Sequence, residues 1–142
     1  MLSQERAEEL LAMIKRLVES SRIDFPAAGA AKRLEAESED GRESFLLDIN
    51  RRGTIKLTKC TFQERYQTVE ILLRLDIDGP THENPDGEVV PCPHLHVYRG
   101  GGDKWAVALP RDFSDPPDLV QTFKEFLAYC KVRDIPDIQR AL

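Results

Sequence analysis

The stretch from Gln67 to Asp78 restricts the fold more than any other part of the sequence. Every second position in it is apolar, at Val69, Ile71, Leu73, Leu75 and Ile77, and the positions between them are mostly polar. Because successive side chains of a β-strand point to opposite faces of a sheet, this period of two predicts a long strand with one apolar face. Such a strand requires neighbouring strands and a layer that covers its apolar face.

Further strands are predicted on both sides of this one. Asp40-Gly41 suits the positive-φ positions of a tight hairpin between two alternating segments. Three more segments are predicted as strands, the last two joined by a glycine-rich turn: Thr54–Phe62, His94–Arg99 and Lys104–Leu109. We therefore expect an antiparallel sheet of about five to six strands within residues 32–109.

Two amphipathic helices flank the predicted sheet. After Ser3, a candidate N-cap, apolar residues recur at offsets of three and four as far as Val18, which predicts a helix over residues 3–20. Asp115 or Asp118 can cap a second helix over residues 117–131. The predicted fold class is α+β: one domain over residues 1–142, with the C-terminal helix packed on one face of the sheet and the other face polar.

Composition narrows the classes of protein to which the chain can belong. No apolar run approaches the roughly 20 residues of a membrane helix, and the first residues lack the features of a secretory signal. An odd number of cysteines, three at wide spacing, predicts free thiols and a cytoplasmic location. The formal net charge of −5 disfavours general attraction to nucleic acid. The segment Asn50–Arg65 is nevertheless basic, so a local surface that binds nucleic acid is not excluded.

The three histidines fall close together in the sequence and point to a candidate site. His94 and His96 lie two residues apart on one predicted strand, on the same side as Tyr98 and opposite Leu95 and Val97. Near-neutral imidazoles can take the 2′-hydroxyl proton of RNA and protonate the leaving oxygen, while cations stabilise the charge that develops. We expect His94 and His96 to be catalytic, without a cofactor. The expected substrate contacts are Arg74, Lys56, His82 and Tyr98.

Other interpretations of the histidines stay open. Cys92, His94 and His96 could bind zinc, with His82 or Asp76 nearby, although their spacing matches no paired-cysteine zinc framework. The two strand histidines could instead be half-buried and bonded to the backbone of the proline-rich loop Gly79–Pro93. That loop could also bind a partner protein, in a noncatalytic interaction module of a phage or mobile element.

Two aspartates end the longest predicted strand. Asp76 and Asp78 precede Gly79-Pro80, and an Asp-x-Asp at this position favours turn chemistry, in which the side chains cap backbone amides. Paired carboxylates for acid–base chemistry or divalent metal binding are the alternative.

The run from Leu72 to Pro110 resembles the central motif of an uncharacterised bacterial and phage family, whose members carry a stretch like GPPHxNPDG followed by PHLHxYREGxGDKWA. More distantly, the pattern is similar to the TumE-like toxins of toxin–antitoxin pairs, through Arg74, Asp76, His82, His94 and His96. That resemblance implies a small RNA-cleaving toxin, an endoribonuclease with RNA as substrate and a cognate antitoxin or host protein as partner. This sequence has His-x-His where those toxins tend to have adjacent histidines.

Overall fold

The computed structural model describes residues 1–19, 21–52 and 57–140. In chain order its elements are α1 (Gln4–Ala12), β1 (Lys15–Leu17), β2 (Ile23–Phe25), β3 (Ala31–Ser38), β4 (Ser44–Asn50), β5 (Thr61–Tyr66), β6 (Glu70–Asp76), β7 (His82–Glu83), β8 (Val89–Val90), β9 (His94–Arg99), β10 (Gly102–Ala108), α2 (Leu119–Tyr129), β11 (Val132–Arg133) and β12 (Ile138–Arg140). Among these described residues no helix is both long and apolar enough to cross a lipid bilayer.

The main sheet has eight strands in the order β10-β9-β6-β5-β4-β3-β1-β11. Neighbouring strands in this sheet are antiparallel except at one edge, where β1 and β11 run parallel. Two small sheets, β12-β2 and β7-β8, complete the fold. The predicted α+β fold with an antiparallel sheet of five to six strands is therefore wrong. The protein is mostly sheet, the sheet is mixed, and strands from outside residues 32–109 extend it.

The N-terminal helix is shorter than the predicted 3–20. Ser3 does cap it, since the Ser3 hydroxyl accepts from the Arg6 amide at 3.1 Å, but the helix ends at Ala12 and Lys15–Leu17 form a strand. The apolar residue at Leu17 fits either period, and pairing with β3 decides between them. The C-terminal helix lies within the predicted residues 117–131 and is capped by Asp118.

The apolar core lies on the face of the sheet that α2 covers. The ring of Phe62 on β5 is 5.0 Å from that of Phe123 and 5.8 Å from that of Phe126, both on α2. A β-bulge between Glu64 and Arg65 interrupts the alternation expected along β6. As a result Leu72 and Leu73 are both buried. Val69, expected in the core, lies in the turn before β6 and is 74% exposed.

The opposite face carries two rows of side chains that cross the sheet through strand pairing. The first row consists of Arg33, Asp48, Gln63, Arg74 and His96, on β3, β4, β5, β6 and β9. The second row consists of Asn50, Thr61, Asp76 and His94, on β4, β5, β6 and β9. The strand parity that placed the histidines beside Arg74 and Asp76 is confirmed by this register.

Candidate functional site

The two rows meet at a cluster formed by β6 and β9. Asp76 is the strand partner of His94, and Arg74 is the partner of His96. One carboxylate oxygen, Asp76 Oδ2, lies 3.2 Å from His94 Nε2 and 3.3 Å from His96 Nε2. Potential ligand atoms of the three residues all lie within 4.8 Å of one another.

Backbone carbonyls fix the orientation of both imidazoles. His94 Nδ1 lies 3.2 Å from the Val90 carbonyl, and His96 Nδ1 lies 2.8 Å from the Asp103 carbonyl. A carbonyl only accepts, and a neutral imidazole has one N–H, so a neutral ring that donates to its carbonyl carries the proton on Nδ1. In that state the Nε2 lone pair of each ring faces the carboxylate of Asp76, whereas an imidazolium would also donate to the carboxylate from Nε2.

Arg74 neutralises part of the charge at this cluster. Its Nη1 donates to Asp103 Oδ2 at 2.8 Å, and its Nε donates to Asp76 Oδ1 at 3.1 Å. Its Nη2 donates both to Asp76 Oδ2 at 3.1 Å and to His96 Nε2 at 3.0 Å. Burial by itself would raise the pKa of Asp76, but interactions with His96 and Arg74 more than offset it and hold that pKa well below its usual range. When the imidazoles are neutral, the carboxylates of Asp76 and Asp103 carry one more negative charge than the guanidinium of Arg74 neutralises.

The segment expected to be a long loop folds over the histidines as the hairpin β7-β8. In its turn the Asn84 carbonyl accepts from the Gly87 amide at 2.8 Å, and Gly87 has the positive φ of 92° that this turn needs. The Asn84 side chain accepts from the Ala106 amide at 2.8 Å and donates to the Ala106 carbonyl at 2.9 Å. His82 Nε2 lies 2.7 Å from the Lys104 carbonyl, and its ring centroid lies 4.6 Å from that of His96.

The histidines line a cavity yet are almost completely enclosed. His94 and His96 have exposed fractions of 2% and 1%. They contribute to the wall of a cavity of about 400 Å³, together with Asp76, Arg74, His82 and Lys59. A small ion or a water molecule can reach such atoms more readily than a bulky substrate can.

The other predicted site residues are distributed as follows. Tyr98 is buried in the core, where its hydroxyl donates to the Leu2 carbonyl. It is not one of the described residues that line the histidine cavity. Lys56 lies outside the described residues. Cys92 Sγ is 3.7 and 3.9 Å from the two ring nitrogens of His94, so it lies against the ring and not in line with one lone pair. Burial, and then the charge of Asp76, raise the pKa of this thiol.

Two aspartates, Asp76 and Asp103, contribute more to the cluster than the sequence pattern indicates. The pattern favours turn chemistry for Asp76, although its strand parity places it beside Arg74 on the polar face. Its neighbour Asp78 accepts from the Thr58 hydroxyl at 2.8 Å, as a residue at the end of a strand is expected to do. Asp103 had no sequence signal beyond the glycine-rich turn, since its role depends on a register shift between Gly102 and Trp105.

Comparison with known proteins gives a family but no named activity. No curated protein and no solved structure matches the sequence. Residues 2–132 match a family of unknown function, DUF6978. This agrees with the expected membership of an uncharacterised family, while the relation to TumE-like toxins stays a prediction. Because the match covers most of the chain, the protein belongs to the DUF6978 family.

Proposed function

We propose that Asp76, His94 and His96 bind one divalent transition-metal ion and that the bound ion activates water for hydrolysis. The observation that carries the proposal is the convergence of two imidazole Nε2 atoms on one carboxylate oxygen, with both Nδ1 atoms held by backbone carbonyls. Metal-binding histidines characteristically donate their other N–H to a carbonyl or carboxylate, which fixes the tautomer and the direction of the lone pair.

The positions of the imidazole protons favour a cation between the His94 ring and the Asp76 carboxylate. With the proton on Nδ1, the His94 Nε2 lone pair faces Asp76 Oδ2 at 3.2 Å with no donor of its own between them. Two acceptors in a buried site repel each other unless a proton or a metal ion lies between them. Two imidazoles and one carboxylate suit zinc, iron or manganese, and they leave coordination positions open for water.

Arg74 is compatible with metal binding at this cluster. Its Nη2 occupies the shared contact with Asp76 Oδ2 and His96 Nε2, and a metal ion would replace that contact. The guanidinium would still be held by Asp103 through Nη1 and by Asp76 Oδ1 through Nε. Arg74 thereby satisfies Asp76 Oδ2 and His96 Nε2, but not His94 Nε2, when no ion is bound. The excess negative charge of the two carboxylates favours a dication at the remaining position.

The chemistry that follows is hydrolysis at a polar cavity. A transition-metal ion bound by three protein ligands can lower the pKa of its water to about 7, which supplies a nucleophile at neutral pH. Arg74 lies beside the cluster and can stabilise negative charge that develops on the substrate. His82, on the covering hairpin, lines the same cavity and can contact the leaving group.

Metal titration of the purified full chain tests the proposal. Zinc or cobalt(II) should bind with one equivalent per chain, and cobalt should show the visible absorption bands of nitrogen and oxygen ligation. Asp76→Asn and His96→Ala should lose this signature. His82→Gln is the matched control and should keep it, because the Nε2 of His82 contacts the Lys104 carbonyl and does not point to the cluster. Circular dichroism establishes that each variant is folded. Absence of binding to the intact chain, or binding that survives both ligand substitutions, would refute the metal site.

Metal-independent RNA cleavage by His94 and His96 is the second candidate. It is favoured by the direct contact of Arg74 with both Asp76 and His96, which needs no metal. The burial of both histidines weighs against it, since a general acid or base must come within hydrogen-bond reach of its substrate. Cleavage of RNA that persists with a chelator and disappears in His94→Ala would favour this candidate over the metal site.

The toxin-like role is a separate prediction about biology. Induced expression should arrest growth, and His96→Ala should relieve the arrest, if the site acts on the RNA of the cell. An antitoxin or host partner would then suppress the arrest when it is expressed together with the protein. Unaffected growth on expression of the intact chain would contradict the toxin prediction, and would leave the noncatalytic interaction module as the alternative to examine.

A further inference from the structure

A second cavity, of about 520 Å³, lies next to the histidine cluster on the polar face of the sheet. Three arginines contribute to its wall, against the single carboxylate of Asp48: Arg33, Arg52 and Arg65. Arg65 is tied to Asp48, with Nε 2.6 Å from Oδ2, whereas Arg33 lies 3.6 Å from Oδ1 and its side chain is 61% exposed. Arg52 is exposed and forms no ion pair with the described acidic residues. The cavity is therefore locally basic in a chain whose formal net charge is −5.

The basic cavity and the metal-site cavity form one continuous surface. Asn50, Thr61 and Gln63 contribute to the walls of both. The row that begins at Arg33 ends at His96, four strand spacings away, which corresponds to about 19 Å at about 4.8 Å per spacing. A linear ligand lying along this row would contact the arginines at one end and reach the histidine cluster at the other.

We infer that this surface binds the phosphodiester backbone of single-stranded nucleic acid and leads it to the metal site. The inference rests on the proposed function for the reaction at the cluster, while the binding itself depends only on the basic cavity. Guanidinium groups form paired hydrogen bonds with phosphate oxygens, and an open sheet face leaves room for a strand without a partner.

Polar side chains between the two cavities fit nucleotides better than they fit an acidic peptide. Gln63 donates its amide to Asp48 Oδ2 at 3.1 Å, and Asn50 Oδ1 accepts from the Arg52 amide at 2.9 Å. Among the described residues this leaves the carbonyl of Gln63 and the amino group of Asn50 without a partner. One donor and one acceptor at diagonal positions on β4 and β5 can bond to the edges of bases. Apart from histidines, no described aromatic side chain lines either cavity, so we expect phosphate contacts to dominate and sequence preference to be weak.

Fluorescence anisotropy with a labelled oligouridine RNA of about 12 nucleotides tests the inference. Binding should weaken steeply with salt in the intact chain. Arg33→Glu and Arg52→Glu should each weaken it several-fold and lower the slope of log K against log salt by roughly 0.7 per lost phosphate contact. Arg22→Glu is the matched control: it makes the same charge change, its side chain is 56% exposed, and it pairs with Asp24 beside the separate small sheet. The control should leave binding almost unchanged.

The measurement is made with chelator present, so that its outcome is independent of the metal site. RNA binding that needs the two arginines supports the inference even if the chain binds no metal. Asp76→Asn should keep RNA binding while it loses metal binding. An oligothymidine DNA probe of equal length then distinguishes RNA from DNA as the preferred strand. Equal weakening by Arg22→Glu, equal binding of polyglutamate, or no binding of either nucleic acid at low salt would overturn the inference.

Discussion

The buried ion pair of Lys15 and Glu64 provides a quantitative test of the packing. Both side chains are completely buried, and Lys15 Nζ lies 3.0 Å from Glu64 Oε2. Lys15 also donates to the Cys130 carbonyl at 2.9 Å and lies 4.7 Å from the ring centroid of Phe45. Neither carboxylate oxygen of Glu64 has a well-aligned hydrogen-bond donor among the described residues, so the pair is mainly a contact of charges.

Lys15→Met removes the cation and leaves Glu64 as a buried charge. Breaking a buried pair in this way costs about 3–5 kcal/mol, which is a large part of the roughly 5–15 kcal/mol by which a domain is stable. Glu64→Gln should cost less, because Lys15 keeps its carbonyl acceptor. The double variant Lys15→Met with Glu64→Leu should recover most of the loss, since apolar residues of similar volume often replace such pairs without net cost.

Urea unfolding followed by circular dichroism gives the free energy of unfolding for the intact chain, Lys15→Met, Glu64→Leu and their double variant, which together form a double-mutant cycle. A cost below about 1 kcal/mol for Lys15→Met, or a double variant as unstable as the sum of the single variants, would refute the reasoning.

The pH dependence supplies an independent check on the same pair. Burial raises the pKa of Glu64, and the charge of Lys15 offsets this only in part. A carboxyl whose pKa is higher in the folded state than in the unfolded state favours folding most at pH values below its unfolded pKa. That contribution is lost as pH rises through the folded pKa. Removal of Lys15 raises the folded pKa further, so the destabilisation by Lys15→Met should grow as pH rises through the raised folded pKa of Glu64 in the intact chain. A cost that shrinks as pH rises would contradict the pairing of Lys15 with a buried carboxylate.

Three further predictions concern the covering hairpin, the thiols and the metal. Asn84→Ala should lower the free energy of unfolding by about 2 kcal/mol, because it removes two buried hydrogen bonds to Ala106, and hydrogen exchange should show faster exchange of the Ala106 amide. In the native protein a thiol reagent should modify Cys92 alone, since Cys60 and Cys130 are buried and burial raises the pKa of Cys60 to about 12; rapid reaction of a second thiol before unfolding would contradict the packing. Zinc at 100 times its dissociation constant should stabilise the folded chain by about 2.7 kcal/mol, and an unchanged thermal midpoint would argue against the site.

Strand parity allowed much of the polar face to be predicted from sequence. Alternation placed His94 and His96 opposite Leu95 and beside Arg74, because a residue's side of the sheet depends only on its position within the strand. The C-terminal helix was predictable for a similar reason, since its apolar stripe and its cap at Asp118 are local features.

The features that could not be predicted from the sequence depend on contacts between residues far apart in the chain. Lys15 looks like a surface residue of a helix until Glu64, far along the chain, is placed next to it inside the core. The burial of Leu72 together with Leu73 follows from a bulge in the pairing with β5, which alternation cannot show. The contact of His96 with the Asp103 carbonyl similarly needs the register of β10, so the orientation of the imidazole was not accessible from sequence.

The bonds from Asn84 to both backbone groups of Ala106 show that those groups point away from β9, toward the open side of the terminal strand β10. A side-chain amide there imitates a neighbouring strand, and His82 occupies the next outward carbonyl, at Lys104. The edge is consequently blocked to strand addition by a second chain, which protects the protein from aggregation through it. The same hairpin supplies the Val90 carbonyl that holds His94. Opening the hairpin would therefore expose the unpaired edge of β10 and remove the backbone acceptor of His94 together, so one small structure both covers the edge and orients the imidazole.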